Sequence, residues 1–201
     1  MVSDEPASTI PEPLVKLGFT EKNISSIGGR GKKNTPALLQ HIRNTLNARA
    51  DDLAALMEVT GFDAKSISSM LAGAGAHIAT GIEALVEHKD ELKKIITEDK
   101  TFDAKSISSM LNGAGAHIAE AIDTIYTRRD KLKAILQGGF TSTQLATRLH
   151  DIANSKLGDE IDRLYDQLSP ELMGNTHIPP NEEIKIADAS RGAGVPKSIG
   201  V

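Results

Sequence analysis

The chain has no cysteine and no tryptophan, and aromatic residues make up only 3% of it. Without cysteine there is no disulfide scaffold, no thiol nucleophile and no thiolate-bound zinc. With so few rings the interior has to be built from Ile, Leu, Ala and Met, a set that suits closely packed helices. No run of residues approaches the roughly 18 consecutive apolar positions that a membrane-spanning helix needs, so no membrane contact is expected. A basic surplus is missing too. The 23 Lys and Arg stand against 27 Asp and Glu, for a formal charge of −4 and an isoelectric point near 5.9. Domains that hold nucleic acid regardless of sequence usually carry the opposite balance. The opening residues, Met1-Val2-Ser3-Asp4-Glu5-Pro6, are acidic and lead into no apolar stretch. No secretory signal peptide is read there, and cytoplasmic synthesis is the expectation.

Repetition is what the chain does contain. Residues 62–71, Phe-Asp-Ala-Lys-Ser-Ile-Ser-Ser-Met-Leu, recur unchanged at 102–111, and Gly-Ala-Gly-Ala-His-Ile-Ala at 73–79 recurs at 113–119. The period from Phe62 to Phe102 is therefore 40 residues. An upstream copy opens at Phe19 and matches through Thr20, Ile24, Ser25, Ser26 and Ile27. A fourth opens at Phe140-Thr141, with Leu145 and Leu149 at the places of Ile67 and Leu71.

Each copy reads as two or three helical segments. Thr20, Asp63, Asp103 and Thr141 follow the Phe, where a side-chain oxygen accepts from the first free amides of a helix. A short helix then runs to about Leu71 or Leu111. Gly73 and Gly75, repeated as Gly113 and Gly115, end it, because glycine takes left-handed turns and costs about 1 kcal/mol inside a helix. Beyond this loop Ile78, Ile82, Leu85, Leu92 and Ile95 form one apolar helical stripe. Ile118, Ile122, Ile125, Leu132 and Ile135 repeat it, and Leu39, Ile42, Leu46, Leu53 and Leu56 are its counterpart in copy one. A bend or restart of the long helix is expected near Lys89-Asp90.

A unit of this size cannot bury both faces of two helices alone, so copies must stack and share a core. The expected fold is all-α, an α-solenoid of four repeats of roughly 40 residues with two to three helices each. Its parts are an N-terminal extension or cap (1–18), repeats at 19–61, 62–101 and 102–139, a degenerate fourth repeat or C-terminal cap (140–173), and a flexible Pro- and Gly-containing tail (174–201). Open repeat ends leave self-association as an option.

An apolar start, a cap, a short helix ending in Ile or Met, a Gly-containing loop and a longer second helix resemble the repeats of TAL effectors and their bacterial TAL-like relatives. The resemblance spans about 19–173, although the units here are longer than that family's usual ones. It implies a right-handed superhelix tracking the major groove of double-stranded DNA, with each inter-helix loop offering a residue pair to one base. The pairs would be Gly73-Ala74, Gly113-Ala114 and Arg30-Gly31. A small residue lets the loop approach closely, and an Ala methyl packs on a thymine methyl. In copy four the matching loop, near Ile152-Ala153-Asn154, lacks Gly and is expected to read nothing. Phosphate would fall to Arg30, Lys32 and Lys33, beside Gly28, Gly29 and Gly31. Where the family has Lys and Gln for the same purpose, this chain has His77-Ile78 and His117-Ile118, and neutral His is a poor substitute. The departure matters because phosphate neutralisation supplies much of DNA affinity. The resemblance also implies a secreted bacterial effector acting in a host nucleus, although no nuclear-localisation cluster is found.

Plainer readings compete at each motif. His77 and His117 occupy equivalent positions, but layers about 10 Å apart separate the rings, and no carboxylate or Cys recurs beside them. Neither a metal nor a cofactor is expected, and capping or packing is the ordinary role. The Gly-Ala-Gly loop serves equally as a turn. Gly28 to Lys33 lacks Walker spacing and follows a helix rather than a strand. Glu83, Glu87, Asp90 and Glu91 sit on a polar helix face, and no Ser, His and Asp set recurs, so no enzyme is expected. The first expectation is a TAL-like protein that binds double-stranded DNA through its inter-helix loops; the alternative is a protein-interaction solenoid whose concave face takes a partner helix or peptide. The acidic isoelectric point and the missing phosphate ligands favour the second.

Overall fold

A computed structural model describes residues 10–29, 34–98, 102–150, 152 and 154–173. Among these residues there are twelve α-helices and no strand. Helix α1 (Glu12–Lys16) precedes the first copy, which consists of α2 (Glu21–Ile27), α3 (Pro36–Ala48) and α4 (Ala50–Thr60). Copy two has α5 (Ala64–Met70), α6 (Ile78–Glu87) and α7 (Lys89–Lys93), and copy three has α8 (Ala104–Met110), α9 (Ile118–Thr127) and α10 (Arg129–Gln137). Copy four is α11 (Ser142–Leu149) and α12 (Asn154–Met173). Short 3-10 turns, Gly75–His77 and Gly115–His117, lead into α6 and α9, and a π-helical turn, Lys94–Glu98, extends α7. The tail expected at 174–201 and the stretch Arg30, Gly31, Lys32 and Lys33 lie outside the described residues.

All four expected caps are made. Asp63 and Asp103 accept the Ser66 and Ser106 amides at 2.6 and 2.7 Å. Thr20 and Thr141 do the same for Asn23 and Gln144, whose side chains return a bond to the Thr amide. These reciprocal pairs satisfy two otherwise orphaned donors at once. The restart of the long helix falls where expected, at His88, a one-residue break between α6 and α7. Copies one and three break in the same way at Arg49 and Arg128.

Packing follows chain order. Helix α2 lies on α5, α5 on α8 and α8 on α11, while α3 lies on α6, α6 on α9 and α9 on α12. Small residues allow the short helices to approach. Ser68, Ser108 and Ala146 are 2%, 7% and 3% exposed, whereas Ser25, at the equivalent place in α2, is exposed, the preceding α1 packing on α3. Asn23 Nδ2 donates to Ser68 Oγ at 3.1 Å across the first contact. At the second, the Ser69 hydroxyl donates to Asn112 Oδ1 and the Gly113 amide to the Ser69 carbonyl, the latter at 2.9 Å. The core is one continuous cluster in which Ile24, Ile67, Ile107 and Leu145 recur at zero exposure. Each such burial contributes roughly 1.5–3 kcal/mol. Leu14 of α1 joins the same cluster, and α1 packs on α3.

The two ends differ from the middle. Counted from Leu46 and Leu85, Arg43 stands at the place of Ile82; counted from the leading Phe, Glu21 stands at that of Ala64. These two end residues pair at 2.7 Å. At the far end Arg148 occupies the position of Met70 and Met110 and binds Glu160 at 3.1 Å. Arg163 at 2.6 Å, with Arg148 beside it, pulls the Glu160 carboxyl down to about 2. No helix of the described residues is long and apolar enough to cross a membrane.

Candidate functional site

The loops between first and second helices are built by glycine geometry. Gly73, Gly75, Gly113 and Gly115 all have positive φ, between 55° and 84°, which an L side chain resists. Gly115 has a second constraint: a Cβ there would lie 3.2 Å from both the Ala72 carbonyl oxygen and the Ala74 nitrogen. The loop of copy three thus presses backbone to backbone on that of copy two. Gly81 is held similarly, since a Cβ would meet Leu71 at 2.6 Å and the Gly115 carbonyl oxygen at 3.1 Å. His41 of α3 reaches the same edge, with Nε2 3.3 Å from the Ala76 carbonyl oxygen.

This arrangement sorts the residues singled out from the sequence. Gly73, Gly113, His77 and His117 are exposed on the loop edge. The methyls of Ala74 and Ala114 turn inward, 4% and 3% exposed, and belong to the core. The inward turn leaves Gly73, Ala76 and Gly113 at the surface of these loops. His77 and His117 end the 3-10 turns and make no side-chain cap bond to the helices that follow. No group of three or more His, Asp or Glu among the described residues is arranged to hold a metal ion. The remaining members of the expected set, Arg30, Gly31, Lys32 and Lys33, fall outside the described residues.

A feature not anticipated from the sequence lies on the short-helix face. A groove of about 640 Å³ runs where copy one meets copy two, lined by Leu17 of the N-terminal extension, by Lys22 and Asn23 from the first copy and by Lys65 and Ser68 from the second, with Asn112 from copy three. It mixes hydroxyl, amide and ammonium groups over an apolar floor. Lys22, Lys65 and Lys105 occupy one register on three consecutive stacked helices, and all three are exposed. Beside them Asp63 and Asp103 remain anionic, their carboxyls held below the ordinary Asp range by hydrogen bonds from Ser66 and Ser106. The readable signal was the identical Lys three residues after each of the first three Phe; what no single copy shows is that stacking leaves a trough beside it.

A smaller groove, about 410 Å³, lies on the last short helix between Phe140, Thr143, Gln144, Thr147 and Arg148. Phe140 is only partly buried there, whereas Phe19, Phe62 and Phe102 are each 3% exposed. Comparison with protein-family models, curated proteins and solved structures gives no match for this chain.

Proposed function

We propose that the chain is a non-catalytic binding module, an α-solenoid of four layers that takes a peptide segment of a protein partner along its short-helix face. The groove between the first two copies carries this reading. It has the volume of an ordinary ligand site, and both donors and acceptors line it, as an extended peptide requires. The solenoid itself is supported by the same-order packing of short helices on short helices and of second helices on second helices. The right-handed sense rests on the TAL-like resemblance alone. Burial of the Ala74 and Ala114 methyls weighs against those side chains as readers of bases.

Selection of displayed random peptides on the immobilised chain tests the proposal. Enriched peptides are expected to bind K22E/K65E at least tenfold more weakly, with thermal stability unchanged because both lysines are exposed. A selection that enriches nothing, or peptides indifferent to K22E/K65E, would contradict the reading. Contact with double-stranded DNA is the second reading, favoured by the exposed backbone at Gly73 and Gly113 and by Arg30, Lys32 and Lys33. Anisotropy titration of a duplex at 50 and 200 mM salt separates the two. Micromolar binding that weakens steeply with salt would support DNA contact.

A further inference from the structure

Lys22, Lys65 and Lys105 each occupy the second position of their helix, in α2, α5 and α8. A cation in the first turn opposes the positive pole of its own helix. Stacking of α2 on α5 and of α5 on α8 also sets the three ammonium groups in one row, where like charges repel. Packing does not call for them: all three side chains are exposed, and in α11 Thr143 fills the place. The neighbouring carboxylates are engaged elsewhere. Asp63 and Asp103 accept the Ser66 and Ser106 amides, and Glu21 pairs with Arg43 at 2.7 Å. Lys22 and Lys65 stand on the two helices that wall the groove, and Lys105 continues the row one helix further. An anionic partner lying across the row relieves both kinds of repulsion.

We infer that this row reads an acidic segment of a protein partner in the polyproline II conformation, with a carboxylate at every third residue. The inference rests on the peptide-binding reading and adds the conformation and charge spacing of what is bound. Helices in contact lie about 8–10 Å apart. A polyproline II helix has three residues per turn and rises about 3.1 Å per residue, so every third side chain returns to one face after about 9.3 Å. Three carboxylates in that register meet three successive lysines. A β-strand returns a side chain to one face after about 6.6 Å and falls out of step. An α-helix comes near the spacing only at seven residues, about 10.5 Å, and a segment of two or three turns is not helical by itself. Between its first two acids the segment crosses the groove, where Leu17 and Ala64 offer apolar contact to a proline ring.

Fluorescence anisotropy with two nine-residue probes tests this on the intact chain at 50 mM salt, where exposed charges are weakly screened. The regular probe is Glu-Pro-Gln repeated three times. The other holds the same nine residues with its glutamates at the first, third and fifth places. The regular probe is expected to bind about tenfold more tightly, and K22Q, K65Q and K105Q should each weaken it about threefold. Replacing one terminal glutamate of that probe by glutamine should abolish its response to K22Q or to K105Q, but not to both. Melting temperatures of the variants should stay level or rise slightly, since each loses a cation from a helix N-terminus. Equal affinities of the two probes, or binding of neither, would overturn the proposal, as would a regular probe indifferent to K105Q, Lys105 standing outside the groove. Selected peptides that respond to K22E/K65E would then sustain the peptide reading without this spacing, whereas a selection that enriches nothing removes both.

Discussion

Where copies two and three bury Ile82 and Ile122, copy one has Arg43, and where they bury Met70 and Met110, copy four has Arg148. Each arginine is paired with a carboxylate on its own side, Glu21 or Glu160, so neither end presents the apolar face that an inner copy offers its neighbour. The middle of the molecule is specified by apolar complementarity between packed copies, the ends by ion pairs, one largely enclosed at Arg43 and one more exposed at Arg148. Repeat arrays need such polar terminal units to remain soluble. The difference lies inside the first and fourth copies themselves, in single substitutions at otherwise apolar positions, and not only in the flanking segments.

The sharpest way to break this contrast is to move an end residue inward. Ile122→Arg places a cation at a fully buried site, no carboxylate being buried among the described residues, and a loss of about 3–5 kcal/mol is expected in chemical denaturation. Arg43→Ile, which gives an end the inner residue, is expected to change stability far less. Equal losses from the two would erase the distinction between middle and end.

The loops provide a second, smaller contrast. Gly73 and Gly113 have positive φ with open space beyond, whereas Gly115 combines positive φ with backbone contact from the neighbouring copy. Gly73→Ala is expected to cost about 1 kcal/mol from backbone strain alone. Gly115→Ala should cost at least about 2 kcal/mol, because the neighbouring loop must also move. Urea denaturation curves read both values, and a Gly115→Ala no worse than Gly73→Ala would mean that the loops do not press on each other.

The smallest effect concerns the far end and acid. Glu160 is depressed in the folded chain to about 2, so its contribution is full above the ordinary carboxylate value near 4.5 and disappears as pH falls towards 2. Its arginine partners are partly exposed, and screening holds the contribution to roughly 1 kcal/mol. Glu160→Gln should therefore flatten the fall in melting temperature between pH 4.5 and 2 while barely changing it at higher acidity. A melting profile identical to the wild type's would remove the ion pair from the cap.

Much of the fold is legible in the residues because repetition makes each inference four times. The capping oxygens after each Phe, the break near Lys89 and the apolar stripe all follow from local chemistry that one copy contains. The inward turn of Ala74 and Ala114 does not, since it depends on how the copies pack together, which a single copy does not show. The Lys22 and Lys65 groove is hidden for the same reason. Arg43 and Arg148 read as ordinary polar substitutions until the stack shows that they replace buried positions. His41 at the Ala76 carbonyl joins loop to helix across 35 residues, a contact no periodicity announces.

Consecutive stacking of equivalent layers is the claim on which the rest depends, and distances between labels measure it directly. The chain has no cysteine, so pairs of spin labels can be placed uniquely at Lys22, Lys65 and Lys105 after substitution to Cys. Neighbouring helices pack about 8–10 Å apart, and the account predicts equal single steps for 22 to 65 and 65 to 105, with 22 to 105 close to twice as long. Unequal steps, or a 22 to 105 distance no longer than one step, would contradict it.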